Sequence, residues 1–583
     1  METTEKELTG YPSIDKPWLK YYSEEAINAP IPQCTVYENI FNRNKEHLDD
    51  IALIYYGRKI TYRSLFDNVE IVKHAFEKSG VKKGDIVVVL TSSTPETVYT
   101  ILALCRIGAI ANMVNPLFDE QQIIDRINET NASILILLDR LYSKIQNIVN
   151  ELCVKEIVVI PVIRSMPATT KIGAKFKLGK SGIKYDERII EWKHFIIRSE
   201  NSPETNDVVY ENGLPFVMVY SSGTTGASKG ILLTNNGINA TISHYTDTGF
   251  KYDRSNIFLH KGIMIFFSTG MIFTLFMPLV LGVTVLIDPS SDMNDFVNDI
   301  TKYNLQMIMG ATSFWKFLIQ NPKMKNIDLS TLNYPITGGE QTLSKTENEI
   351  NTFLKEHGCR TEITKGYGMC ELGSTVVATS LEHNKLGSPG YPIKNVIVSI
   401  FNTDTNAEMK YHQKGEIRVL SPARMKEYYK NPEATNNFFY MDNKGNMWGC
   451  TGDVGYMDED GFLFVLGRAN DSFISASGKT IYCFDIENVI LQNENISRCK
   501  VVGVKNNKTY VPIAHIVIDK SCELSEDDLV KQIHKNCLKN LEPDAIPFGY
   551  KFRDNLPIKP SGKMDVEALK NDVEGIIKVE KIT

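Results

Sequence analysis

Residues 214–245 read LPFVMVYSSGTTGASKGILLTNNGINATISHY. The stretch opens on an apolar run of strand type, LPFVMV. It closes on ILLTNNGINATISHY, which reads as a short strand followed by a helix. Between them, Tyr220 to Gly230 holds three glycines, three serines, two threonines and one lysine. Glycine lets the backbone approach a ligand closely and adopt positive φ. Bare N–H groups in such a loop form an anion-binding nest. The hydroxyls of Ser222, Thr224 and Thr225 add donors, and Lys229 adds a compact positive charge. The ligand suited to this loop is a polyphosphate. A P-loop needs G-x-x-x-x-G-K-[ST]. Here Ser228 stands five residues after Gly223, and Lys229 is followed by Gly230. The same composition also makes plain surface turns. The flanking strands and the lysine favour phosphate, without saying which reaction.

Outward from the loop, an α/β grammar extends in both directions. IALIYYG and KITY read as a hairpin, and SLFDNVEIVKHAFEKSG as a helix with Leu65, Val69, Val72 and Phe76 on one face. DIVVVL is a buried strand, and PETVYTILALCRIG is a helix ending at a glycine. AIANMVN, DEQQIIDRINET and ASILILL continue as strand, helix and strand. Such alternation implies parallel sheets with helices on both faces. Residues 1–34 read as an arm lying on the body. Residues 163–206, with the basic run KIGAKFKLGKSGIK, read as a surface loop, with a charged-ligand or membrane role as the alternative. The apolar run from Ile263 to Ile287 is long enough to consider as a membrane span. Its internal Gly and Pro favour a buried helix to about Val280 and a buried strand from Gly282, so no transmembrane segment is expected.

Beyond about residue 400 the chain becomes strand-rich, with GEIRVL and GFLFVLG. After Gly467 a small α+β unit begins, with FDIENVILQNE as a helix, VPIAHIVI as a strand, and a helix capped by Ser525. The expected domains are therefore 1–466 and 467–583. A chain of 583 residues is too long for one core. Apolar content of 43% and charged content of 23% are ordinary for a soluble globular protein. The net charge of −6, from 64 basic and 70 acidic residues, argues against a nucleic-acid binder. Ten cysteines without a CxxC pair argue against a zinc site or disulfide framework, and favour the reducing cytoplasm. The N-terminus lacks an apolar signal core.

Further stretches turn phosphate into a reaction. Gly338-Gly339-Glu340 follows the strand NYPIT. In Gly366-Tyr367-Gly368-Met369-Cys370-Glu371 an aromatic between glycines suits stacking on a flat base, and a carboxylate follows four residues on. Thr451-Gly452-Asp453 offers a turn carboxylate suited to ribose hydroxyls. Gly467-Arg468 opens the small unit, and Pro557-Ile558-Lys559-Pro560-Ser561-Gly562-Lys563 lies near its end. Taken singly, each has a blander reading as a turn, a packed ring or a solvated charge.

In this order and spacing the stretches resemble the acyl-CoA synthetases of the adenylate-forming (AMP-binding) superfamily, which also holds carrier-loading adenylation domains and firefly luciferase. The similarity runs from roughly residue 35 to the end. It implies a large N-terminal domain of parallel sheets sandwiched by helices, a β-rich subdomain, and a small mobile α+β C-terminal domain. It implies ATP, Mg²⁺ and CoA. Ser222, Thr224, Thr225 and Lys229 would hold the β- and γ-phosphates. Gly339 and Glu340 would flank the nucleotide, with Tyr367 and Gly368 at the adenine and Cys370 at the α-phosphate. Glu371 would be the metal ligand, and Asp453 would take the ribose hydroxyls with Arg468 beside it. Lys563 would reach the α-phosphate and the substrate carboxylate, and the face around Gly478 would serve the later thiol step. Gly338, Gly366 and Phe267 would border the acid.

The implied reaction joins a small carboxylic acid to AMP with loss of pyrophosphate, then passes the acyl group to CoA. An uncharged run at Ile265-Phe266-Phe267 disfavours an α-amino acid and points to an apolar acyl or aryl acid. The sequence departs from the family pattern at Cys370, where Thr is usual, and at Asn470 and Cys483 in the small domain. Two alternatives follow. One is an acyl-AMP ligase that loads an acyl carrier protein in trans. The other is a nucleotide-binding regulator with weakened catalysis.

Overall fold

The computed structural model describes residues 8–178, 182–200, 205–221, 228–248, 250–261, 263–290, 292–506, 509–519, 522–558 and 564–579. Internal contacts divide the chain into two units. The first comprises Met1–Ser399, Arg418–Thr451 and Met457–Phe464, and the second Ile400–Ile417, Gly452–Tyr456 and Val465–Thr583.

Two mixed sheets, each with a parallel core, organise the first unit. One has eight strands, in the order Glu427–Tyr428, Gly230–Thr234, Pro215–Tyr220, Ile110–Met113, Ile86–Leu90, Ile134–Leu138, Glu156–Ile160 and Ile189–Glu191. From Pro215–Tyr220 to Ile189–Glu191 the neighbours are parallel. The antiparallel exceptions flank the Ser/Gly/Thr loop, where Pro215–Tyr220 pairs with Gly230–Thr234 and that strand with Glu427–Tyr428. The second sheet has nine strands. Its parallel core runs Thr364–Met369, Tyr334–Gly338, Met307–Gly310, Ile257–His260, Thr284–Ile287 and Ile51–Tyr55. Antiparallel strands close both edges.

The expected helices and strands follow from their apolar spacing. Tyr62–Lys78 buries Leu65, Val69, Val72 and Phe76, and Thr61 caps its start. Pro95–Ile107 ends at Gly108, whose φ of 77° satisfies the last carbonyls. Helices Met293–Lys302, Thr312–Gln320 and Ser344–Glu356 cover the nine-stranded sheet, burying Phe296, Trp315, Leu318, Ile350 and Phe353 against Leu259, Leu286 and Ile308. Fully burying one such side chain contributes about 1.5–3 kcal/mol. The run from Ile263 forms a buried helix, Ser268–Met271, Ile272–Phe276 and Met277–Leu281, then the buried strand Thr284–Ile287. Its middle five residues are π-helical. Among the described residues, no helix is long and apolar enough to cross a membrane.

Two expectations need correction. Residues 163–206 are not a plain loop: they hold helix Ala168–Leu178, strand Ile189–Glu191 and helix Trp192–Ile197. The last two are too short to show a period, yet they bury Ile189, Trp192 and Phe195 at the sheet edge. The N-terminal arm, from residue 8 on, lies on the body as expected. It forms short helices at Pro12–Asp15, Pro17–Tyr21 and Glu24–Asn28, with Trp18 buried beneath Gly461. Thr451-Gly452-Asp453 is not a turn. It lies inside strand Met447–Met457, where Gly452 takes a φ of 67° without ending the strand.

The second unit packs helices Cys483–Ile490 and Glu526–Asn540 on strands Ile496–Asn506, Thr509–Ile518 and Gly549–Phe552. Ser525 caps the longer helix, accepting from Asp528 N–H, and three acidic residues occupy its first turn.

Candidate active site

The Ser/Gly/Thr loop is clamped at its base. Ser221 N–H donates to the Lys229 carbonyl and Lys229 N–H to Ser221 Oγ, both at 3.0 Å. Ser228 Oγ donates to the Ser221 carbonyl at 2.5 Å, and Arg126 Nη1 to the Ser228 carbonyl at 3.0 Å. The described ends of the loop are therefore held at one ladder position, next to Tyr220 paired with Gly230. Ser222, Thr224 and Thr225 lie outside the described residues.

Gly338 and Gly366 sit opposite each other at the carboxyl ends of two parallel strands. That edge is where open α/β sheets bind ligands. Gly339 follows with a φ of 82°, a turn conformation that side chains resist. Glu340 is exposed and accepts from Ser313 N–H at 3.2 Å and Ser313 Oγ at 3.1 Å, so it also caps helix Thr312–Gln320. Register shifts between Tyr367 and Gly368, forming a bulge that re-aims the strand.

A cavity of about 220 Å³ opens against this edge. Gly338, Gly339, Gly366, Tyr367 and Gly368 line one side, and Tyr245, Phe250, Phe273 and Tyr334 contribute aromatic rings. Phe267 precedes helix Ser268–Met271 with its ring 4.8 Å from that of Phe266. Among the described lining residues that stretch contributes Thr269 and Phe273, not Phe267. His244, also on the wall, accepts from Lys394 N–H, and burial lowers its pKa to about 3, so it is neutral. Lys365 forms a buried ion pair with Glu347. Burial pulls the pKa of the Lys365 ammonium down, against the carboxylate's opposing pull. Lys251 pairs with Glu382 at 3.4 Å. The charges on the wall are thus matched within the protein.

Glu371 is buried at the end of the same strand, in the short helix Cys370–Leu372. Its Oε1 accepts from the Tyr428 hydroxyl at 2.8 Å. The Lys229 ammonium stands 5.2 Å from the centre of the Tyr428 ring. Tyr428 therefore joins the loop lysine to the carboxylate, and sequence reasoning missed it. Burial, and next the nearby Glu371 charge, push the Tyr428 phenol well above its ordinary pKa, so it stays a donor. Its only local signal is the tyrosine pair before Asn431-Pro432, which starts a capped helix. Cys370 Sγ accepts from Ser268 Oγ at 3.0 Å. Among the described residues there is no cluster of three or more metal-ligating side chains. A single carboxylate nevertheless fits Mg²⁺, which takes most of its ligands from substrate phosphates and water.

In the second unit, Asp453 is buried and accepts from Arg468 Nε at 2.9 Å. Asn470 is exposed two residues on, and Asp471 pairs with Lys500. Gly478 turns with a φ of 84°, and a Cβ placed there would meet nothing within 4 Å. Asp544 accepts from Ser475 and Ser477 beside it. Lys563 lies outside the described residues.

Family models match both parts of the chain. AMP-binding enzyme matches residues 40–429, and AMP-binding enzyme C-terminal domain matches residues 485–563. A long-chain-fatty-acid–CoA ligase of Bacillus subtilis is 26% identical over 564 residues, covering 94% of this chain and 96% of the relative. A 4-coumarate–CoA ligase of Arabidopsis thaliana is 25% identical over 488 residues, covering 82% and 81%. Among solved structures, an anthranilate CoA ligase in complex with anthranoyl-AMP superposes with a TM-score of 0.76 at 20% identity, covering 94% of this chain and 98% of that one. That likeness matches the fold expected from the sequence: parallel-rich sheets with helices, followed by a small α+β unit.

Proposed function

The chain belongs to the AMP-binding enzyme family, and on that premise we propose that it is an AMP-forming acid–CoA ligase. It activates an apolar carboxylic acid with ATP, releases pyrophosphate, and passes the acyl group to CoA. One observation supports this best: the loop lysine of the eight-stranded sheet and the Glu371 carboxylate, which follows a glycine-lined strand end of the nine-stranded sheet, meet through Tyr428, near an aromatic cavity with internally matched charges. The ligase names of the full-length relatives point the same way, and a long-chain fatty acid is the substrate class favoured.

A carboxylate attacking an anionic phosphorus needs positive charge where charge develops. Thr224, Thr225 and Lys229, with Ser222, bind the phosphates that leave. Tyr367 stacks on the adenine, Gly339 and Glu340 flank it, and Asp453 with Arg468 takes the ribose hydroxyls. Glu371 holds Mg²⁺, which when bound lowers the charge that the attacking carboxylate must meet. Lys563 orients the acid against the α-phosphate. After pyrophosphate departs, the thiol of CoA attacks the acyl carbonyl and AMP leaves. That second step uses the surface around Gly478. The two domains are 1–466 and 467–583, and the ten free cysteines suit the cytoplasm.

The test is incubation with ATP, Mg²⁺, CoA and a panel of carboxylic acids, read by mass spectrometry and pyrophosphate release. Acyl-CoA and AMP are expected, with apolar acids the best substrates. Acyl-AMP accumulating without thioester would replace CoA by an acyl carrier protein. No acid-dependent pyrophosphate release would sink the ligase reading and leave a nucleotide-binding regulator.

A further inference from the structure

Helix Ala168–Leu178 takes no part in that chemistry, and its polarity is inverted. A surface helix normally turns its apolar stripe to the core. Here Ile172 and Phe176, neighbours at i and i+4, point outward and are 62% and 87% exposed. The residues on the opposite side, Thr170, Lys171 and Ala174, are the half-buried ones. The space outside is open, since a Cβ at Gly173 would meet nothing within 4 Å. The base of the helix is fixed. Ser165 Oγ donates to the buried Glu96 at 2.6 Å, and Met166 is buried. Between Glu156 and Asp186 the chain has no acidic residue and six basic ones, Arg164, Lys171, Lys175, Lys177, Lys180 and Lys184. The whole chain carries −6, so this positive charge is a local excess.

We propose that this helix docks the protein on an anionic bilayer surface. Ile172 and Phe176 enter the boundary between headgroups and acyl chains, and Lys175, exposed beside them, engages lipid phosphates with the basic excess of the stretch. Two features favour lipid over a protein partner: the apolar residues form a ridge rather than a groove, and the charge around them is of one sign. Interfacial helices share both features. The contact is peripheral, and a helix of 11 residues gives weak, reversible attachment. Docking stands independently of the ligase reading. It rests on that reading only for its use, which is to place the cavity where apolar acids partition.

The full chain is floated with vesicles of phosphatidylcholine alone and with about 30 mole per cent phosphatidylglycerol. Binding to the anionic vesicles is expected, with loss at about 0.5 M salt. Phe176→Ser, Ile172→Ser and Lys175→Glu should each lower the partition coefficient roughly tenfold. Their activity on a water-soluble acid should be unchanged. Equal binding to neutral and anionic vesicles overturns the proposal, as does equal binding by wild type and variants. So does capture of an acidic carrier protein through this helix without vesicle binding. Flotation by a protein that lacks ligase activity would overturn the proposed reaction and leave the docking intact.

Discussion

Tyr428 decides how the Glu371 carboxylate is presented. Its hydroxyl donates to Oε1 at 2.8 Å, and its ring lies beneath the Lys229 ammonium. Among the described residues, Tyr428 is the side-chain donor that orients this carboxylate. Partners that orient a metal ligand typically change affinity 10–100-fold when removed. Tyr428→Phe keeps the ring and removes the donor. It should raise the Mg²⁺ concentration for half-maximal pyrophosphate release about tenfold. The melting temperature should change little, because a neighbouring hydroxyl is lost and no cavity opens. A Mg²⁺ titration identical to wild type would mean that Glu371 is held by something else. Tyr428 follows Glu371 by 57 residues and reaches it only because strand Glu427–Tyr428 pairs beside Gly230–Thr234. That pairing is a property of the folded sheet, so no local pattern announced it.

Strand Thr364–Met369 and its return strand Ser374–Ala378 hold the site at the next scale. The bulge between Tyr367 and Gly368 brings the two backbones close: a Cβ on Gly368 would lie 1.6 Å from the Ser374 carbonyl oxygen. Backbone cannot yield as a side-chain tip can, so Gly368→Ala must open the hairpin. Tyr367 and Glu371 then move together. Misplacement by about 1 Å can cost around a hundredfold in rate. Gly368→Ala should therefore lower acid-dependent pyrophosphate release at least about a hundredfold, while circular dichroism still shows the native helix and strand content. Activity within a factor of about two of wild type would show that the bulge does not set the site. The glycines of this hairpin were legible because they cluster in a short motif. The bulge itself depends on cross-strand register, which one strand's sequence does not carry. Likewise the buried runs DIVVVL and ASILILL announced parallel strands, whereas strand Ile189–Glu191, of three residues, is too short to show alternation.

Over the whole chain, what the sequence conveyed best was order: the loop, the glycine turn and Gly-Tyr-Gly lie inside the first family match, Asp453 falls between the two matches, and the terminal lysine closes the second. Three-dimensional assembly within the first unit then joins residues far apart, as Lys229 and Glu371 meet through Tyr428. The final member, Lys563, is the last residue of the C-terminal family match and lies outside the described residues. Its assignment makes a demand that only the whole enzyme can meet. If Lys563 orients the acid against the α-phosphate, it acts before the anhydride exists and has no charge to stabilise afterwards. Lys563→Ala should then lower acid-dependent pyrophosphate release about a hundredfold to a thousandfold. Thioester formation from supplied acyl-AMP and CoA should stay within about threefold of wild type. Both half-reactions are measured on the same preparation, so a folding defect would depress them together. Equal loss in the two assays by a variant that melts like wild type would end the assignment of Lys563 to the first step alone, and the proposed division of labour between the half-reactions would fall with it.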